Sequence, residues 1–126
     1  MEFNSSKQQR QAKSRLNRLA PTDVEQLISL LKYNEYNAYL RVIAANQGIA
    51  TDQLSKFIKS NNHHNASQYL NEMLIPLGFV IAKFRTDKPS VSWHWHLMEV
   101  KRALQLGIDK RLRLKIFRLL EAANDQ

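Results

Sequence analysis

Apolar residues recur along most of this chain at helical spacing, and one stretch alone switches to the two-residue period of a strand. Leu27, Leu30 and Leu31 give an apolar face to a helix from Asp23 to about Lys32. Thr22, with Glu25 three residues on, supplies the capping box that opens it after Pro21. A second helix, capped by Asn34 and ended before Gly48, carries Tyr36, Tyr39, Leu40 and Ile43 as a buried stripe. Thr51 can cap a short third helix with Leu54, Phe57 and Ile58 on one face, stapled to the core by Ile49. The polar run from Ser60 to Asn65 then breaks the chain, with Asn65 the expected cap of the next helix. On that helix Ala66, Tyr69, Leu70, Met73 and Leu74 share one side, leaving Ser67, Gln68, Asn71 and Glu72 on the other.

The period changes at Phe79. Residues 79–85 are rich in strand formers, and after a polar loop Val91, Trp93, Trp95 and Leu97 alternate strictly with Ser92, His94 and His96. Two such runs around a loop predict a hairpin. Met98 to Leu106 reads as a helix stopped by Gly107, and Asp109 caps a last helix bearing Leu112, Ile116, Leu119 and Leu120. The expected fold class is therefore mainly α with a small antiparallel β-hairpin, α+β. Three Gly and three Pro in 126 residues agree with long helices and few turns. With no Cys, disulfides, thiolate metal sites and cysteine nucleophiles are excluded.

The order helix, short helix, polar turn, helix, hairpin, helix resembles the winged helix-turn-helix family. The likeness is carried by residues 49–57, by 65–79, and by the junction Leu74, Leu77, Gly78 and Phe79, where a leucine-rich turn and a glycine lead into the first wing strand. It covers roughly residues 34–97, and Pro76 departs from the family's usual run. The resemblance divides the chain into a basic N-terminal arm (1–20), a winged-helix domain (21–107) and a basic amphipathic C-terminal helix (108–126). It implies that the helix from Asn65 enters the major groove of duplex DNA, with Ser67, Gln68 and Asn71 suited to base edges and Lys83, Arg85 and Lys88 of the wing suited to phosphate.

Charge supports a polyanionic partner. The net charge is +8, with +4 in residues 1–20, +1 in 21–97 and +3 in 98–126. The arm residues Lys7, Arg10, Lys13, Arg15 and Arg18 would add phosphate contacts driven by counterion release. The expectation is a cytoplasmic DNA-binding protein, nucleoid-associated and of the transcription-regulator type, drawing affinity from the arms and selectivity from the centre. The alternatives are RNA binding and a protein-interaction module of a replication, conjugation or phage assembly.

Other chemistry is thinly represented. His63, His64, His94 and His96 could in principle join two pairs around zinc, but no Cys or acidic cluster supports it, so neither metal nor cofactor is expected. Without a phosphate loop, nucleophile elbow or paired carboxylates, no enzyme is expected. Trp93 and Trp95 share the face a wing buries, and exposure of both would favour single strands or RNA. Leu112, Ile116, Leu119 and Leu120 either close the core or pair with a second copy. No apolar run approaches the roughly 18 residues of a membrane span.

Overall fold

The computed structural model describes residues 21–31 and 34–124, so the arm 1–20, with its five basic residues, lies outside the described residues. Six α-helices are described: α1 (Pro21–Leu30), α2 (Asn37–Ala45), α3 (Thr51–Phe57), α4 (His63–Leu74), α5 (Val100–Gln105) and α6 (Lys110–Asn124). Three strands, β1 (Ile49–Ala50), β2 (Phe79–Thr86) and β3 (Ser92–Glu99), form one antiparallel sheet in the order β1-β3-β2. The chain is thus mostly helical with a small antiparallel sheet.

Each face of the sheet buries its own core. On the inner face Ile81, Trp95 and Leu97 meet Val24, Leu27 and Ile28 of α1, Tyr39, Leu40 and Ile43 of α2, Leu54 of α3, and Leu70 and Leu74 of α4. On the outer face Val80, Ala82 and Met98 meet Ile75, Val100, Ala103, Ile108 and Ile116. Strand alternation explains the division, since neighbouring residues of β2 point to opposite faces and both faces are covered. Packing corrects one boundary and two face assignments. Met98 and Glu99 continue β3 and pair with Val80 and Phe79, so the following helix starts at Val100. Leu30 and Phe57 are exposed, because the inner core takes the 24-27-28-31 stripe of α1 and only Leu54 is buried on α3.

Helix starts also differ from expectation. α4 begins at His63 with Asn62 in the cap position, three residues earlier than an Asn65 cap would place it. Asn65 instead donates to the Asn62 side-chain oxygen at 2.8 Å. Thr51 lies inside α3, where its hydroxyl accepts from the Trp95 indole N–H at 2.9 Å. Asp109 does cap α6, accepting from the Leu112 N–H at 3.0 Å. Pro76 sits in a 3-10 turn (Ile75–Leu77) that ends α4, and Gly78 follows at φ 95°, a left-handed conformation that redirects the chain into β2 without a Cβ penalty.

Two amides complete the sheet. Gln47 accepts from the N–H of Leu97 and donates to its C=O, extending the contact that the two-residue β1 makes with β3. Asn71 does the same for Ile81 on the free side of β2, at 2.7 and 3.0 Å.

Candidate functional site

Alternation puts Phe79, Ile81, Lys83 and Arg85 of β2 on the inner face, with Lys83 opposite Trp95 and Arg85 opposite Trp93 in the register of the hairpin. Ile81 and Trp95 are buried beneath the helices, but the hairpin outruns that layer. Beyond Trp95 the inner face looks into a cleft of about 400 Å³. Thr51 and Ser55 of α3 line it on one side, and Ser60, Asn61, His63 and His64 on another. Lys83, Trp93 and Trp95 supply the sheet side. Among the described residues no carboxylate lines it.

The floor is fixed by a hydrogen-bond chain. Tyr39 donates from its hydroxyl to His63 Nδ1 at 2.7 Å, and Ser55 gives its own proton to the Thr51 carbonyl. Ser55 Oγ therefore accepts from His63 Nε2, 2.9 Å away, which makes His63 a neutral imidazole with its proton on Nε2. Burial pushes its pKa down, in keeping with that state.

Lys83 is the charge of the cleft. Its Nζ donates to His64 Nδ1 at 2.7 Å and lies 5.0 Å from the Trp95 ring centre and 5.9 Å from that of Trp93. Burial holds the ammonium below the ordinary lysine range, and Asp109 partly offsets this. His64 Nε2 is 2.8 Å from the side-chain amide of Gln68. Trp93 is 44% exposed and Trp95 is 2% exposed, so one indole belongs to the rim and the other to the core.

The predicted reading residues part company here. Gln68 and Asn65 are exposed, but Ser67 and Asn71 are 5% and 4% exposed. Both are corrections to the expected polar face: Ser67 donates to the His64 carbonyl at 2.7 Å, and Asn71 is spent on Ile81. Ser67 thus satisfies its hydroxyl on its own helix three residues back, whereas Asn71 turns to β2, which offers both backbone groups of Ile81. Glu72 is exposed, and its carboxylate meets Lys115 at 3.3 Å and Arg118 at 3.7 Å, so α6 flanks the C-terminal half of α4. At the end of the hairpin Arg85 of β2 pairs with Asp87 of the loop at 3.0 Å, and Lys88 is exposed.

Elsewhere, Leu112, Ile116, Leu119 and Leu120 pack into the outer core, while Leu114 and Phe117 are exposed on α6. Among the described residues no three His, Cys, Asp or Glu side chains group around a metal position, and no helix is long and apolar enough to cross a membrane. Sequence reasoning found Lys83 but missed its setting, in which His64, Thr51 and Ser55 join the two indoles. The signal was a lone lysine on the inner-face alternation after Phe79 and Ile81. Comparisons with protein-family models, with curated proteins and with solved structures yield no match for the chain.

Proposed function

We propose that the protein binds nucleic acid, with duplex DNA the ligand of a winged-helix scaffold, and acts as a DNA-binding factor of the transcription-regulator type. The observation that carries this reading is one polar, cation-bearing edge without a carboxylate in its cleft. There the exposed His64 in the first turn of α4 links Gln68 of the same helix to Lys83 of β2. The order α2, β1, α3, α4, β2, β3 with sheet order β1-β3-β2 supports it, being the arrangement a winged helix requires. With Ser67 and Asn71 turned inward, base contacts fall to Asn65 and Gln68, whose amides suit adenine. The flank formed by α6 restricts contact to the N-terminal half of α4.

Gel shifts on random duplex DNA in rising salt test the reading. Binding should weaken steeply, with a logarithmic slope near −0.9 for each phosphate contacted. Replacing Lys83 and Lys88 should make that slope shallower by roughly 1 to 2. Replacing Asn65 and Gln68 by Ala should relax sequence preference while leaving the slope in place. Absence of binding to any DNA or RNA at low salt would overturn the proposal in favour of a protein-interaction scaffold, for which Leu114 and Phe117 offer an apolar patch.

A further inference from the structure

The cleft beside Lys83 also holds two indoles, which duplex binding does not use. Its ammonium spends one of three donors on His64 and faces no carboxylate in the cleft. Trp93 stands at the rim, and its ring centre is 5.9 Å from that ammonium, so one ligand can meet the charge and an indole together. Trp95, which donates to Thr51, and the bonded His63 make the floor rigid. A volume of about 400 Å³ is at the small end of the range for small-molecule pockets. Such a space admits one base with its sugar and phosphate, and no double helix.

We infer that this cleft holds one unpaired nucleotide of a bound strand, its base stacked on Trp93 and its phosphate on Lys83. A paired base has both faces covered by its neighbours, so only an overhang, a gap or a flipped position can present a face to the indole. Stacking tolerates any base, because each has a π-face, and the cleft therefore senses strand state rather than sequence. The inference rests on the nucleic-acid reading above but not on its duplex preference.

The two tryptophans of the chain both line the cleft, so tryptophan-selective fluorescence of the intact protein reports on this site. A short oligothymidylate should quench it, and a duplex with a single-stranded overhang should bind roughly ten-fold more tightly than the same duplex with blunt ends. Trp93→Ala and Lys83→Gln, checked for an unchanged circular dichroism spectrum, should each remove that preference in anisotropy measurements with labelled DNA. Trp93 is a rim residue, so its loss leaves the fold in place. Equal affinity for blunt and overhanging duplex overturns the inference while leaving duplex binding standing. Quenching by inorganic phosphate as strong as that by oligothymidylate also overturns it, since a bare anion site needs no indole. Oligothymidylate binding without blunt-duplex binding upholds the inference and defeats the duplex reading. No binding to any of these ligands defeats both.

Discussion

Asn71 and Gln47 each make the paired contacts that a neighbouring strand would make, and this explains why an asparagine expected on a reading face is buried. Removing the Asn71 amide strands both the N–H and the C=O of Ile81, itself buried. An unmet buried group costs about 1–3 kcal/mol, so Asn71→Ala should lose about 2–4 kcal/mol in urea unfolding. Asn65→Ala, at an exposed position, should change stability by no more than about 0.5 kcal/mol. A loss of similar size in both variants would contradict the assignment. His63 makes a second residue-level prediction. Burial lowers the folded-state pKa of His63 and of His96, so in the unfolded chain these rings bind protons that the folded protein resists. Their contribution is intact above the unfolded value of about 6.5 and is lost as pH falls from there through the folded values. Urea midpoints measured between about pH 7 and pH 5 should fall, and the fall should be shallower in His63→Gln. A pH-independent midpoint would refute this.

At the scale of elements, the helix and hairpin pattern was legible wherever apolar residues kept a regular period, even where, as at Val91 and Trp93, the apolar residues are exposed. Val91 to Leu97 announced a strand by strict alternation, and the 66-70-74 stripe announced α4. Legibility failed where burial was two-sided or the partner distant in sequence. Met98 continues the strand because α5 and α6 cover the outer face, which no local pattern records. β1 has two residues, too few for any period, and Gln47 does part of its pairing. The inward turn of Asn71 depends on Ile81, ten residues on. The cleft depends on register, since Lys83 meets Trp95 only when Thr86 pairs with Ser92. Element ends were read best where one side chain decides them. Asp109 is such a case, and Asp109→Ala should destabilise the protein by about 1 kcal/mol, measured by thermal unfolding. Asp109→Asn, which keeps the accepting oxygen, should lose much less.

At the scale of the molecule, the sheet joins the two cores, and α6 belongs to the structure rather than trailing from it. Ile116 is fully buried among Ile75, Val80 and Met98, so Ile116→Ala should cost about 2–5 kcal/mol. Because β2 and β3 contribute to both clusters, tryptophan fluorescence from the inner side and far-ultraviolet dichroism should report one coincident transition, in the variant as in the parent. Two separate transitions would show α6 to be an independent unit. One feature of the sheet also bears on how the protein behaves in a crowd. β2 is an outer strand, and an outer strand is a template on which another chain can add itself. Asn71 occupies the rung at Ile81, in the middle of that strand, so an incoming strand would have to evict it. The residue that looked suited to reading bases thereby stands where a neighbouring copy would add its own strand, and removing that amide would open the edge to such pairing.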